Sequence, residues 1–564
     1  MPWRSSVLHV PLLLLLCGVL YLPYLGNTPF FDKGEPREAL AVQDIVQRGE
    51  WLFPLKRARA IPSKPPLFHW SAALTHQVNG RLDEATIRFP SAFYATLGVV
   101  LLYLFGRKLY GGEVGLLAAA ILATTLIYIN QALSARVDMT LCFYVTLSLI
   151  LFYMLYKGFL IHRLWYFVLY GIVGIGAMAK GPLGIVLPGL VIGVFLTVKK
   201  KWDLIFKFAF HPGVLLTVLI AGGWYTLAIG RGGEGFVDRQ LLGENVERFF
   251  GGSGHSHPFY YYLSYLFSLG LPWSLFLVFA LWDYGGRKIL ADDDKLFPMI
   301  WFLVMFIFFS AAMGKRPVYL LPIFPAISLL IAVWLMQAPK AEGVRLGLFR
   351  SIAAFAAAVG VISLLIAVGD WWSHDPGWFF TPVEGLLKPK DRVNFELVKS
   401  DLANFGWRFD AAASIAALLW LFVAFFLWKN QLRQTALGLL VVAIVLSSAG
   451  RSFIMPKLAQ SKSYRDFIEE VNRRVRPGAK LYLYGNFNSD AVLFYHGAFI
   501  DEIEASIESL ESKIGAGNDY VIMDERSWKK MQSTERNLPK PLLTSQGDGP
   551  EGGARLVLVR ADVS

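Results

Sequence analysis

Val7-Leu-His-Val-Pro-Leu-Leu-Leu-Leu-Leu-Cys-Gly-Val-Leu-Tyr-Leu-Pro-Tyr24 decides the class of this protein. It holds no charged residue and is long enough to cross the hydrocarbon layer of a bilayer as a helix. Many similar runs follow, so it reads as a first membrane span and not as a cleaved signal peptide. Apolar runs of spanning length fall at 7–25, 91–109, 113–131, 139–157, 164–179, 183–198 and 212–229, then at 259–281, 297–313, 318–336, 351–369, 412–428 and 435–450. The sequence therefore predicts an α-helical polytopic membrane protein with about thirteen transmembrane helices. Composition agrees: 55% of the 564 residues are hydrophobic and only 17% are charged, against about 25% charged in soluble domains.

The charges test the count independently. With Arg4 on the cytoplasmic side, alternate loops on that side carry Arg107 and Lys108, Lys157 and Arg163, and Lys199, Lys200, Lys201 and Lys207. They continue with Arg287, Lys288 and Lys295, then Lys340, Arg345 and Arg350, and finally Lys429 and Arg433. Every such loop is basic, as the positive-inside rule requires. The net charge of +12 is thereby explained without nucleic acid. Cys17 and Cys142 both lie in apolar runs, so no disulfide framework is available.

Thirteen spans place the first loop, 26–90, and the C-terminal segment on the periplasmic side of a bacterial inner membrane. Residues 1–450 then form a transmembrane domain and 451–564 a soluble domain. In the latter, Ser463–Val475 reads as an amphipathic helix. Residues 480–485, 519–524 and 555–560 alternate as strands do, which predicts a small α/β domain. There is no P-loop, no G-x-G-x-x-G fingerprint and no G-x-S-x-G elbow, and hence no sign of a nucleotide-driven machine or a serine hydrolase.

The polar residues crowd the outer side. Phe30-Phe-Asp-Lys-Gly-Glu-Pro-Arg-Glu38 brings Asp32, Glu35 and Arg37 just past the first span. Pro36 preceded by acids also suits a plain helix start. Lys64, in Ile61-Pro-Ser-Lys-Pro-Pro-Leu-Phe-His-Trp70, precedes two prolines and is expected to be extended. Arg88 opens the second span, Asp138 follows the third, Lys180 lies in a tight turn, and Lys315 precedes Arg316 in another. Single lysines of this kind are commonly snorkelling side chains. Several cations together on one face, with carboxylates, suit a phosphate diester: the cations would neutralise a leaving phosphate and a carboxylate would deprotonate an attacking hydroxyl. Glu244, Asn245, Arg248, His255 and His257 form a further outer polar loop that could line a head-group site. No cofactor motif is present, and a divalent metal is the one cofactor the His255-Ser-His257 pair leaves open.

Asp32-Lys-Gly-Glu-Pro-Arg-Glu-Ala39, Ser63-Lys-Pro-Pro-Leu-Phe-His-Trp70 and Ile87-Arg-Phe-Pro-Ser-Ala92 resemble the first periplasmic loop of the aminoarabinose transferases of lipid A and, more loosely, the protein O-mannosyltransferases. Ala135-Arg-Val-Asp-Met139, Ala179-Lys-Gly-Pro182 and Lys315-Arg-Pro-Val-Tyr-Leu-Leu-Pro322 extend the resemblance over roughly 26–335. It implies a C-type glycosyltransferase fold, an undecaprenyl-phosphate-linked sugar donor, and inverting transfer to a lipid, glycan or protein acceptor at the membrane. It also implies a catalytic carboxylate in the first loop. The usual adjacent acids are replaced here by Gly34-Glu35, with Asp32 two positions before the glycine, so Glu35 is favoured and Asp32 follows. Asp138 matches a second acid. Arg37, Lys64 and Lys180 match positions facing the donor phosphate, a role that Arg88 and Lys315 share as outer cations, and Tyr319 matches a tyrosine near the carrier head group. A transporter or flippase of a lipid-linked sugar would use a similar basic cavity, but such folds often carry internal repeats, and none is evident.

Overall fold

A computed structural model of the chain describes residues 7–55, 64–238, 240, 243, 257–337, 342–373, 392, 407–485, 487–503, 519–533, 540–550 and 553–560. All thirteen apolar runs fall on helices. Eight helices are long and apolar enough to cross a membrane, or up to ten if each of two bent pairs is one span. His9–Tyr24, Leu164–Lys180 and Leu183–Val198 match the remaining predicted spans but are shorter. At about 1.5 Å per residue the last two reach about 24–26 Å, short of a hydrocarbon layer of about 30 Å. Length and composition alone thus mark eight to ten crossings among the described residues, and the three shorter apolar helices account for the rest of the thirteen runs.

The bent pairs show how a break is tolerated in an apolar environment, where every backbone group must find a partner inside the protein. Gly112–Thr124 and Leu126–Ala132 meet at 66°, and Tyr261–Leu269 and Ser274–Tyr284 meet at 114°. Thr125 is extended, which frees backbone groups at the first break. The Leu126 N–H donates to the Leu271 carbonyl at 3.1 Å, so the two breaks satisfy each other. The Trp273 indole N–H adds a bond to Thr124 Oγ1 at 3.0 Å.

The chain forms two compact units. The first comprises residues 1–24, 63–68 and 89–451, and the second residues 25–62, 69–88 and 452–564. In the first, Val137–Tyr156 packs against Leu164–Lys180, which turns sharply into Leu183–Val198. Gly181 has φ 72°, a conformation glycine adopts without strain. Gly184 lies so close to the facing helix that a Cβ there would sit 2.3 Å from the Gly176 carbonyl carbon. Four of the basic loop residues are tied to acids: Lys199 to Asp293 at 2.6 Å, Lys157 to Asp294 at 2.9 Å, Lys295 to Asp292 at 3.2 Å, and Arg345 to Asp283.

The second unit corrects the expected domain division. The first loop does not belong with the membrane helices, as the 1–450 boundary implies; most of it packs with residues beyond 451. The Phe30 N–H donates to the Tyr495 hydroxyl at 2.7 Å, and that hydroxyl donates to Glu84 Oε1 at 2.8 Å. Phe30 and Phe494 meet edge to face at 5.1 Å. Burial pushes the Tyr495 hydroxyl well above the ordinary tyrosine range.

The C-terminal part of this unit carries the expected α/β domain. Its strands are β1 (Leu481–Tyr484), β2 (Asp501–Ile503), β3 (Tyr520–Asp524), β4 (Leu543–Thr544) and β5 (Leu556–Arg560), in the order β2-β1-β3-β5-β4. β1 is parallel to both neighbours, and β5 is antiparallel to β3 and β4. The predicted helix is observed at Arg465–Arg474. Alternate residues of the strands, including Tyr482, Tyr484, Val521, Met523, Val557 and Val559, form one apolar layer, as a period of two dictates.

Candidate active site

In the second unit the helix Gly34–Arg48 begins where the stretch Phe30–Glu38 placed a helix start. Asp32 Oδ1 accepts the Gly34 N–H at 2.6 Å, and the Asp32 side chain stays partly exposed. Glu35 points the other way. Its Oε1 accepts from Arg88 Nε at 2.8 Å and its Oε2 from Arg88 Nη2 at 3.0 Å, with both residues almost wholly buried. Arg88 Nη1 also donates to the carbonyls of Leu25 and Thr28, at 2.9 and 2.7 Å. The guanidinium lies 5.1 Å from the centre of the Phe30 ring.

These contacts correct two expectations. Arg88 is not placed to bind a donor phosphate, because its nitrogens are engaged by Glu35 and by the chain leaving the first helix. Glu35, favoured as the catalytic carboxylate, is one arm of a buried two-pronged ion pair, the geometry that makes arginine–carboxylate contacts strong and directional. Asp32 is the more accessible of the two first-loop acids.

One turn further, Glu38 gathers two neighbours. Arg37 Nε and Nη2 donate to Glu38 Oε1 at 3.0 and 2.7 Å, while His69 Nε2 lies 2.9 Å from Glu38 Oε2. Glu38 is 4% and His69 1% exposed, whereas the Arg37 side chain is 27% exposed. Burial alone would raise the Glu38 carboxyl. The Arg37 guanidinium and His69 outweigh it and hold the group well below the usual carboxylate range. Glu38 and His69 stand inside stretches the sequence singles out, yet no spacing rule connects positions 31 residues apart.

The first unit holds its own cluster. Asp138 lies in the first turn of Val137–Tyr156 and Lys180 is the last residue of Leu164–Lys180. Their side chains are hydrogen-bonded and buried, and Lys180 Nζ is 4.5 Å from the centre of the Tyr319 ring. Arg136 and Lys64, the latter also buried, are close enough to act on the Asp138 charge. Asp138, Lys180, Lys64 and Tyr319 are therefore brought together, with Arg136 added. Asp138, expected as a second catalytic acid, is held as the partner of Lys180.

Lys315 differs from all of these. It is 4% exposed, and its ammonium donates to the Ala312 carbonyl of its own turn. Among the described residues no carboxylate pairs with it. Burial pushes its pKa below the ordinary lysine range. Of the outer polar loop, Glu244, Asn245, Arg248 and His255 lie outside the described residues. His257 is exposed and stacks on Tyr261 at 4.2 Å. Among the described residues no three His, Cys, Asp or Glu side chains gather as a metal site needs.

Residues 63–224 match the family model for dolichyl-phosphate-mannose-protein mannosyltransferases. A protein of Aquifex aeolicus is 30% identical over 323 residues, which cover 56% of this chain and 62% of that protein. An undecaprenyl phosphate-α-4-amino-4-deoxy-L-arabinose arabinosyl transferase of Pectobacterium atrosepticum is 27% identical over 422 residues, 73% of this chain and 71% of the relative. The crystal structure of ArnT from Cupriavidus metallidurans bound to undecaprenyl phosphate superposes with a TM-score of 0.74 at 19% identity, covering 100% of this chain and 99% of that one. This chain is ArnT-like in sequence and in fold. The superposition shows that this chain shares the fold of that protein over nearly its whole length. The aligned part spans 62% of the Aquifex relative and 71% of the Pectobacterium one, whereas the superposition on ArnT covers 99% of that chain.

Proposed function

We propose that this protein is a polyprenyl-phosphate-dependent glycosyltransferase of the bacterial inner membrane. It moves a sugar from an undecaprenyl-phosphate carrier to an envelope acceptor on the periplasmic face, with inversion at the anomeric carbon. The single observation that carries the reading is Lys315. An ammonium shielded from solvent without a carboxylate partner carries a desolvation cost, and a bound phosphate would offset that cost. A lysine in a turn between two apolar helices is suited to a lipid-linked phosphate. The ArnT-like relatives, one bound to undecaprenyl phosphate, support the same donor class.

In this reading Lys315, Lys180 and Lys64 in the first unit stabilise the donor phosphate, and Tyr319 packs beside the carrier head group. An acceptor oxygen attacks the anomeric carbon, and the bond from that carbon to the phosphate oxygen breaks. The electron pair leaves with undecaprenyl phosphate, whose new charge the lysines neutralise. If the acceptor is a hydroxyl, a carboxylate must take its proton, and the resemblance of the first loop makes Asp32 the candidate. A phosphate acceptor is already an anion and needs no such base. The names of the relatives make 4-amino-4-deoxy-L-arabinose the first donor sugar to try and lipid A the first acceptor.

The test uses purified full-length protein in detergent with a panel of undecaprenyl-phosphate sugars, following release of undecaprenyl phosphate. One donor is expected to be turned over with an envelope acceptor. Asp32→Asn is expected to abolish transfer to a hydroxyl acceptor and to spare transfer to a phosphate. Protein that binds undecaprenyl phosphate but releases none from any donor, with any acceptor extract, would sink the transferase reading.

A further inference from the structure

We propose that the short helix Trp202–Ala209, with the lysines around it, binds anionic phospholipid in the leaflet on the side of the basic loops. The inference lies wholly within the first unit and does not depend on the transferase reading.

The first observation is position. The helix joins Leu183–Val198 to the apolar helix Val214–Phe236, so it lies where the chain turns back between two membrane segments. Its eight residues reach about 12 Å, far short of a crossing. Lys199, just before it, pairs with Asp293 in the first turn of Asp293–Ala311 at 2.6 Å, which ties the turn to the end of the bundle that carries the basic loops.

The second is that the helix is apolar on two sides. Phe208 is turned inward, with ring centres 5.2 Å from Phe152 and 5.5 Å from Tyr166, and its carbonyl accepts the Tyr170 hydroxyl. His211 stacks on both Tyr166 and Tyr170, at 5.0 and 5.4 Å, and closes the turn. Phe206, two residues from Phe208, points to the opposite side. There Trp202, Phe206 and Phe210 are 55%, 62% and 80% exposed, and the two phenylalanine rings stack at 6.3 Å. Residues four apart share a face, so the three rings form one outward stripe. Large exposed apolar stripes mark contact surfaces, and aromatic rings beside basic residues suit the boundary between membrane and water.

The third is charge. Residues 199–213 hold four lysines and a single acid, Asp203. Lys200 and Lys201 are exposed, and among the described residues no carboxylate pairs with either. Lys200 has φ 56°, a left-handed conformation that glycine adopts with less strain, so an ammonium is kept here against the preference of the backbone. Lys207, on the same helix, is exposed and donates to the Tyr166 hydroxyl at 3.2 Å. The rings alone would enter any lipid surface. The uncompensated ammonium groups select a negative one, each worth about fivefold in affinity near such a surface.

The test uses the full-length protein in nanodiscs, with a fluorophore on Ala209→Cys, a position that leaves all three rings in place; Cys17 and Cys142 are buried and stay unlabelled. Quenching is measured with brominated phosphatidylglycerol and with brominated phosphatidylcholine at equal shares of the lipid. Phosphatidylglycerol is expected to quench at severalfold lower content than phosphatidylcholine. Lys201→Gln should reduce that preference about fivefold, and the Lys200→Gln, Lys201→Gln pair should abolish it, with the melting temperature unchanged. High salt should weaken the preference in the wild type, because exposed charges are screened. Equal quenching by the two lipids, or a preference that survives in the double variant, would overturn the inference. Quenching by neither lipid would place the helix away from the membrane and overturn it as well.

Discussion

Arg88 and Lys315 are both buried cations near the ends of apolar helices, one in each compact unit, and they have opposite surroundings. Arg88 is met by both oxygens of Glu35 and by the carbonyls of Leu25 and Thr28. Lys315 has a carbonyl of its own turn and, among the described residues, no carboxylate. The first cation is complete as an element of architecture. In the proposed reading, a bound phosphate completes the second. Burial and charge alone do not separate a structural cation from a binding one; the tally of partners does.

The comparison breaks most visibly at Arg88. Arg88→Ala would leave Glu35 buried and uncompensated and is expected to cost about 3–5 kcal/mol, seen as a large fall in the melting temperature of purified protein or as failure to accumulate. An Arg88→Met, Glu35→Leu double variant should recover much of the stability. If Arg88→Ala folds with unchanged stability and loses only donor binding, the structural assignment is wrong.

Lys315 should behave in reverse. Lys315→Met is expected to leave the melting temperature unchanged or raise it, because a costly buried charge is removed, and to weaken undecaprenyl phosphate binding about tenfold, about 1.4 kcal/mol. The pH dependence carries a sign. The ammonium is the form that binds an anion, and burial lowers its pKa in the unliganded protein. Affinity should therefore be full at neutral pH and decline as pH rises, starting below the ordinary lysine value of 10.5. That alkaline decline should be absent in Lys315→Met. An unchanged profile in the variant would assign the binding charge elsewhere.

The smallest expected effect concerns Glu38. Its carboxyl is depressed in the folded protein, so the stability it contributes is present above the ordinary glutamate pKa and is lost as pH falls through the folded value. Melting temperature measured from pH 6 downward should therefore drop more steeply in the wild type than in Glu38→Gln, by an amount on the order of 1 kcal/mol at the acid end. Parallel curves would mean that Glu38 is no more stable as an anion in the fold than in the unfolded chain.

Much of this protein was legible without coordinates because its strongest signals are local. An apolar run long enough to span a bilayer must be helical wherever it lies, and all thirteen runs fall on helices. Three of the five strands of the C-terminal domain, β1, β3 and β5, were found within a residue at each end, while the short β2 and β4 were not. The candidate site was legible as a list, because lysines and acids gathered against the positive-inside trend stand out from the sequence alone. The pairing within that list was not. Glu35 and Arg88 are 53 residues apart, and Asp138 and Lys180 are 42 apart. Glu38 and His69 carried no signal beyond lying in conspicuous stretches.

Sequence by itself thus determined the class of molecule, its helices and the inventory of chemistry-bearing side chains, since hydropathy and charge act through the solvent each segment meets. Tertiary structure alone decided that the first loop packs with the C-terminal domain, through contacts such as Phe30 to Tyr495 across 465 residues. It alone decided which carboxylate each cation keeps. A charge pair depends on distances of a few ångströms, which folding sets between segments whose separation in sequence carries no information about it.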